Sequence, residues 1–330
     1  MKKHHTIPFF IPHRGCPFKC IFCDQNKITG AVPPSPTDIS QKIEKYLATM
    51  SGDDLHIEVG FFGGTFTGLP IAQQIEYLSA VQPFISNKFI QGIRLSTRPD
   101  FINEEILTIL KNNRVTTVEL GVQSMSDKVL LAAERGHTAK DVKKASQLIT
   151  KIGFTLVHQI MLGLPLSTQE DEYFTARCAK NLGAREARLY PVIVIKNTGL
   201  AELWQKGVYA PLTENEAITR CAEIIVYFSE NSIKVIKCGL HPSEGLLSGS
   251  DTLAGPFHPA FGYKVESRIF AMILEKINKA DGVKAVRYNP SDEPAVYGYK
   301  RCNAFLLNEL SKKNVIIHKD NKVPIGTILI

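Results

Sequence analysis

Apolar, strand-like segments alternate with helical patterns over the first two-thirds of the chain. The apolar segments predict strands at 6–11, 56–62, 92–97, 115–121, 154–162 and 186–194. The segments between them predict helices at 37–49, 70–86, 103–112, 126–134, 138–151 and 168–181. This alternation is typical of parallel strands joined by crossover helices, so we expect an α/β protein.

Six strands in this rhythm predict a partial (β/α)6 TIM barrel over residues 1–212, with its chemistry at the carboxyl ends of the strands. Residues 213–330 predict a capping α+β extension that contains helices at 214–229 and 264–277. Between them, the glycine- and proline-rich loop 248–262 carries Phe257 and Phe261. Such a loop is too apolar for a linker, so we expect it to pack as a lid over the barrel mouth.

Three cysteines, Cys16, Cys20 and Cys23, follow the first predicted strand with spacings of CxxxC and CxxC. Iron-sulfur clusters usually take four cysteines, so three on one loop predict a cluster with one iron open to another ligand. A zinc site and a CxxC redox pair are the alternatives. Zinc would need a fourth ligand at a second typical spacing, and the sequence shows no further CxxC or HxxxH motif.

The CxxxCxxC run, with the aromatic Phe22 before its last cysteine, resembles the signature of radical S-adenosylmethionine (SAM) enzymes. The resemblance implies a 4Fe-4S cluster whose open iron binds SAM. It also implies that an electron from the cluster cleaves SAM to methionine and a 5'-deoxyadenosyl radical, and that Phe22 lies against the adenine. The protein would supply position and a dry pocket for this chemistry.

The same resemblance assigns further SAM contacts to residues that follow the predicted strands: Gly63, Gly64, Thr65, Ser96, Gln123, Arg135 and Gln159. In relatives, the Gly-Gly stretch contacts the amino group of SAM. In the oxygen-independent coproporphyrinogen dehydrogenase branch, a glutamine and an arginine spaced like Gln123 and Arg135 bind the ribose and the carboxylate. Some relatives have glutamate in place of Ser96, and many have aspartate in place of Gln159.

The stretch from Ala187 to Trp204, together with His-Arg-Gly-Cys, Gly-Gly-Thr-Phe and Thr-Arg-Pro-Asp, resembles the radical SAM core of the Elongator catalytic subunit. That family modifies the wobble uridine of tRNA. The resemblance covers about residues 5 to 225. No pyrophosphate-binding loop of an acetyltransferase domain is seen after Pro211, so acetyl transfer by the Elongator route is not expected.

Polar residues set among glycines and prolines after this core are candidates for the substrate side of the site. They are Cys238, His241, His258 and Arg268. A structural loop with hydrogen-bonded histidines and a buried cysteine is the alternative for each.

Lys and Arg exceed Asp and Glu by 39 to 32, an excess that permits a polyanionic partner. An RNA-modifying enzyme acting on a tRNA-like substrate is the favoured class. A small-molecule radical enzyme and a haem-chaperone-like relative without catalysis are the alternatives. Flavodoxin or ferredoxin is the expected reductant.

Seven cysteines without a secretion signal indicate the cytoplasm, and no apolar run is long enough to span a membrane.

Overall fold

The structure, a computed structural model, describes residues 3–17, 20–50, 55–241 and 243–330. The chain folds into two compact units. The first contains Met1–Leu212 and Phe228–Phe257, and the second contains Thr213–Tyr227 and His258–Ile330. The chain thus leaves the first unit after Leu212 and returns to it for residues 228–257 before it ends in the second.

A seven-stranded parallel sheet forms the first unit, in the order β1-β2-β3-β4-β5-β6-β8. Its strands are β1 (Lys3–Ile11), β2 (Leu55–Gly63), β3 (Gly92–Thr97), β4 (Val115–Gln123), β5 (Thr155–Leu162), β6 (Glu186–Pro191) and β8 (Lys234–Cys238). A short antiparallel pair, β7 (Val194–Ile195) and β9 (Thr252–Ala254), also belongs to this unit. The α/β partial barrel predicted from the sequence is confirmed, with a seventh strand that the sequence did not reveal.

The helices of this unit follow the strands in the predicted order. They are α1 (Gln25–Thr29), α2 (Pro36–Thr49), α3 (Ile71–Ser79), α4 (Gln82–Ser86), α5 (Glu104–Asn112), α6 (Asp127–Ala132), α7 (Ala139–Ile152), α8 (Gln169–Asn181), α9 (Gly199–Gln205) and α11 (Glu244–Leu247). Capping boxes begin three of them, with Ser35, Thr138 and Thr168 at the N-caps, and satisfy the first free backbone amides.

The predicted helix 70–86 is two helices, α3 and α4, with a break at residues 80 and 81. Pro83 lies in the first turn of α4. Because proline has no amide proton and its ring clashes with the carbonyl four residues earlier, a continuous helix through Pro83 would be strained. A new helix that starts just before the proline avoids both costs.

Strand β3 is buried along its whole length, and β4 is buried at every position except Thr116. Parallel strands covered on both faces are expected to be apolar throughout. Yet Arg94 and Glu119 lie inside these strands at 4% and 0% exposure. Charged side chains this deeply buried must be paired, and their pairing shapes the interior of the barrel.

The second unit contains most of α10 (Glu214–Glu230) and all of α12 (Phe261–Lys279), α13 (Glu293–Tyr297) and α14 (Ala304–Lys312). Its sheet has the order β11-β10-β12, formed by Ile316–Lys319, Ala285–Tyr288 and Ile328–Leu329. Its core is built around Phe270, Leu274, Val286, Val296 and Leu310. The C-terminal extension is therefore α+β, as predicted.

Candidate functional site

The cysteine loop begins where β1 ends and is held against the loop that follows β2. Thr65 donates its backbone N–H to the Arg14 carbonyl at 2.8 Å, and Gly64 donates to the Ile11 carbonyl at 3.0 Å. A Cβ at Gly64 would lie 2.1 Å from the Arg14 carbonyl oxygen. The close approach of the two loops therefore requires glycine at this position.

The three thiols of this loop lie at the carboxyl edge of the sheet and have few protein partners. Cys16 Sγ lies 3.2 Å from the Thr65 hydroxyl, and Cys20 Sγ accepts a hydrogen bond from Arg135 Nη1 at 3.1 Å. Burial, together with the neighbouring Cys20 and Cys16, raises the pKa of the Cys23 thiol to about 12. A metal that binds here must therefore displace a proton, as thiolate ligation generally requires.

Among the described side chains, one trio of His, Cys, Asp and Glu ligand atoms lies within 4.8 Å of one another. It is formed by His4, His56 and Glu58, away from the cysteine loop.

Arg135 and Gln123 face the thiols with unpaired polar atoms. Arg135 Nη2 donates to the Gly121 carbonyl at 2.8 Å, and the absence of a side chain at Gly121 leaves room for the guanidinium. Arg135 Nε and Gln123 Oε1 are buried and have no hydrogen-bond partner. Buried polar groups are rarely left unpaired, so both atoms point to a polar ligand at this position.

A cavity of about 110 Å³ adjoins the cysteines at the carboxyl edge. All eleven residues that the sequence assigned to the cluster and to SAM line it. They are Cys16, Cys20, Cys23, Phe22, Gly63, Gly64, Thr65, Ser96, Gln123, Arg135 and Gln159. Six separate segments of the chain thus contribute to one cavity.

Glu119 is the centre of a buried polar network that includes Ser96 and Gln159 of this cavity. Its carboxylate accepts two hydrogen bonds from Arg188, at 2.7 and 3.0 Å, and one from Arg94 Nη1 at 3.0 Å. Gln159 Nε2 donates to Glu119 at 3.0 Å and to the Ser96 hydroxyl at 2.9 Å. Gln159 and Ser96 are therefore held in place by a carboxylate on the neighbouring strand β4.

Arg94 joins three carboxylates inside the barrel. It donates to Glu58 at 2.9 Å, to Glu119 at 3.0 Å and to Glu186 at 3.3 Å. Burial alone lowers the pKa of Arg94, but Glu58, Glu119 and Glu186 together raise it above the usual value. His4 also bonds Glu58, at 2.9 Å, so the trio of His4, His56 and Glu58 already belongs to this network.

A second cavity, of about 690 Å³, lies in the first unit and shares part of its lining with the first. The residues that line both are Phe22, Cys23, Gln25, Gly63, Ser96, Gln123 and Gln159. A volume of this size is typical of a small-molecule site. The two cavities are therefore neighbours that share these seven residues.

The four predicted substrate-side residues are distributed over both units. His241 is exposed and lines the larger cavity, whereas Cys238, at the end of β8, is not among the residues that do so. His258 lies in the second unit, where its Nδ1 accepts a hydrogen bond from the Ala260 amide at 2.9 Å. Arg268, also in that unit, pairs with Glu275 at 2.7 Å.

The sequence did not reveal Gln25, Glu119, Arg188 or Lys237 as residues of the site. Gln25 donates to the Gly63 carbonyl at 2.6 Å and joins the end of the cysteine loop to β2. The alternation of Glu119 with the apolar residues Val118 and Leu120 places it on one face of β4, and that is the one signal that could have found it. Lys237 lies on β8, the strand that was not predicted.

Comparison with known proteins identifies the family. The Radical SAM superfamily matches residues 10–177, and the Radical SAM C-terminal domain matches residues 185–270. The chain belongs to the radical SAM superfamily. The family prediction is thereby confirmed, and the protein is an enzyme of this superfamily, whose members use SAM and a 4Fe-4S cluster.

The relatives include Elongator-type proteins. An uncharacterized protein of Methanocaldococcus jannaschii is 30% identical over 65% of this chain and 69% of its own length. The tRNA uridine(34) acetyltransferase of the same organism is 28% identical over 67% of this chain and 47% of its own length. This radical SAM enzyme thus spans about half the length of that acetyltransferase, and the predicted resemblance to the Elongator radical SAM core is confirmed.

Solved structures support the fold. The archaeal Methanocaldococcus infernus Elp3 superposes with a TM-score of 0.65 at 20% identity, covering 85% of this chain and 64% of that one. Coproporphyrinogen III oxidase from Escherichia coli gives a TM-score of 0.50 at 17% identity, over 70% of this chain and 53% of that one. Within the described residues of the radical SAM enzyme, no helix has the length and apolar composition needed to cross a bilayer.

Proposed function

We propose that this enzyme reductively cleaves SAM at a 4Fe-4S cluster bound by Cys16, Cys20 and Cys23, in order to modify a tRNA-like RNA. The observation that carries the proposal is the pair of unpartnered buried atoms, Gln123 Oε1 and Arg135 Nε, in the cavity beside the three thiols. When bound, the cluster and SAM supply a 5'-deoxyadenosyl radical.

Different residues of the smaller cavity bind different parts of SAM. Arg135 is suited to the carboxylate, because its guanidinium is a fixed fork of donors. The amide of Gln123 is suited to the ribose hydroxyls, because it can both donate and accept. Gly63, Gly64 and Thr65 present backbone to the amino group, and Phe22 presents its ring to the adenine.

Ser96 and Gln159 complete the ribose side, and their mutual hydrogen bond sets their orientation. Both side chains are also fixed by hydrogen bonds to Glu119. A small electron-transfer protein such as flavodoxin or ferredoxin would deliver the electron.

An RNA substrate is supported by the names of the relatives and by the charge of the chain. Several relatives are tRNA uridine(34) acetyltransferases or Elongator complex protein 3. The formal net charge of this chain is +7, which favours a polyanionic partner. Binding to RNA through phosphate contacts should weaken steeply as the salt concentration rises.

The experiment is anaerobic incubation of the reconstituted enzyme with SAM, a reductant and total tRNA isolated from cells grown in deuterated medium. The expected result is deuterium in 5'-deoxyadenosine, together with a nucleoside of changed mass after digestion of the RNA. A variant with all three loop cysteines replaced by alanine is the control and should yield neither. Deuterium transfer from a small-molecule extract, with none from RNA, would contradict the RNA assignment.

A small-molecule substrate is the second candidate, because the larger cavity has a volume typical of metabolite sites. For this candidate, the deuterium label should come from the metabolite fraction of the same cells. Binding should then depend little on salt, since a single charged group releases few counterions.

A further inference from the structure

The interior of the half-barrel has an uneven charge. Four lysine and arginine side chains line the larger cavity, and one acidic side chain, Glu186, does so. The basic residues are Arg94, Arg188, Lys234 and Lys237. Arg94 and Arg188 are fully engaged by carboxylates of the barrel, so their charge is balanced within the protein.

Lys237 differs from these arginines because it has no partner. It is half-buried, and no hydrogen bond or ion pair joins its ammonium group to any described residue. Burial first, and then the neighbouring Arg188, lowers the pKa of Lys237. An unpaired, partly desolvated cation is unfavourable in the free protein and becomes favourable when an anion binds.

The register of the sheet relates Lys237 to the cofactor side. Gln159 on β5 pairs with Arg188 on β6, and Arg188 pairs with Lys237 on β8. The three side chains thus form one polar row across adjacent strands, and all three line the larger cavity. Because neighbouring strands lie about 4.8 Å apart, the backbone at Lys237 is about 10 Å from that at Gln159.

We propose that Lys237 binds an anionic group of the substrate, a phosphate or a carboxylate, at the end of this row away from the cofactor. The inference rests on the proposed function in that it takes the larger cavity as the substrate side. A ligand held at Lys237 has its reacting end about 10 Å away, next to Gln159 and the smaller cavity. Phe10, Phe62 and Tyr190 also line this cavity and suit the apolar or planar body of such a ligand.

Competitive acetylation of lysines in the unmodified protein tests this directly. A short pulse of acetylating reagent is followed by mass spectrometry of the peptides that carry Lys237 and Lys234. The probes are uridine 5'-monophosphate and succinate, with uridine as the uncharged counterpart. An anion at Lys237 should slow its acetylation at least fivefold, because it shields the amine and keeps it protonated.

Lys234 is the internal control, since it lies on the same strand and is exposed at the rim of the cavity. Its acetylation should not change. Protection by the nucleotide alone assigns a phosphate to the site, and protection by succinate alone assigns a carboxylate. Protection by neither, equal protection by uridine, or equal protection of Lys234 would overturn the proposal.

Variants provide a second, independent readout. Trp204, the only tryptophan of the chain, lies in the first unit, so its fluorescence follows thermal unfolding of that unit. Lys237→Met should raise the melting temperature without ligand and abolish the further rise that the protecting anion causes in the unmodified protein. Lys237→Arg and Lys234→Met should retain that rise.

A destabilised Lys237→Met variant that still responds to the anion would contradict the site. These measurements need neither the cluster nor SAM. If they show no anion binding at Lys237 while SAM cleavage and modification of RNA are observed, the anion site is wrong and the proposed function stands.

Discussion

Arg135 Nη1 donates a hydrogen bond to Cys20 Sγ at 3.1 Å, which joins the loop after α6 to the cysteine loop that follows β1. The same guanidinium donates to the Gly121 carbonyl at 2.8 Å and keeps its Nε without a partner. Arg135 therefore connects the predicted cluster ligands with the predicted SAM cavity.

Replacement of Arg135 by lysine should separate these two roles. Lysine keeps the charge but loses the fork of donors, so the dissociation constant for SAM should rise about tenfold, which corresponds to ~1.4 kcal/mol. Iron and sulfide content should remain close to that of the unmodified chain, and both quantities can be measured on anaerobically reconstituted protein. Arg185→Lys, at an exposed position, is the matched control and should bind SAM normally. Unchanged SAM affinity in Arg135→Lys would remove Arg135 from the site.

Gly64→Ala should damage the cysteine loop itself. The added Cβ would lie 2.1 Å from the Arg14 carbonyl oxygen and 2.6 Å from the Ile11 carbonyl oxygen, and backbone atoms cannot move aside cheaply. We expect the iron bound per chain to fall at least twofold after reconstitution. Gly207→Ala is the comparison, because Gly207 has a φ of +70° and nothing within 4 Å of its Cβ position. That variant should lose about 1 kcal/mol of stability and keep its iron.

The fold, and the grouping of the predicted cofactor residues around one cavity, were predictable from sequence for an identifiable reason. The cysteines, Gly63 and Gly64 lie in short local motifs at strand ends, and parallel strands bring their ends to one edge. Gln25 and Lys237 belong to no motif, because their positions depend on how distant segments pack. The seventh strand, β8, was missed because it returns to the sheet after a helix most of which belongs to the second unit.

Glu119→Gln should destabilise the first unit. Glu119 is fully buried and compensates both Arg94 and Arg188, and breaking such a buried pair typically costs about 3–5 kcal/mol. Urea unfolding followed by Trp204 fluorescence measures the loss for this unit. Glu76→Gln, on the exposed face of α3, should change stability by no more than about 0.5 kcal/mol. A similar stability for both variants would show that the carboxylate of Glu119 is dispensable.

His158 should make the first unit sensitive to acid. Burial lowers its pKa to about 3, from 6.5 for an ordinary histidine, while the ring bonds the Ser146 hydroxyl at 3.0 Å. Between these pH values the unfolded chain binds a proton at His158 and the folded chain does not. The contribution of His158 to the free energy of unfolding is therefore fully present above about pH 6.5. It is lost as the pH falls toward 3, at up to about 1.4 kcal/mol per pH unit.

His158→Gln should reduce the slope of unfolding free energy against pH by about that amount between pH 6 and 4, as measured by urea unfolding at a series of pH values. Ser146→Ala removes the hydrogen-bond partner but keeps the buried imidazole, so it should lower stability without changing this slope. Equal slopes in His158→Gln and the unmodified protein would show that the native ring is protonated.

The central claim is that Cys16, Cys20 and Cys23 hold an iron-sulfur cluster whose open iron binds SAM. It is tested most directly by electron paramagnetic resonance of the anaerobically reconstituted, reduced protein with and without SAM. We expect iron and inorganic sulfide in equal amounts, and a cluster signal whose g values shift when SAM is added. Zinc in place of iron, no sulfide, or a signal that SAM leaves unchanged would contradict it.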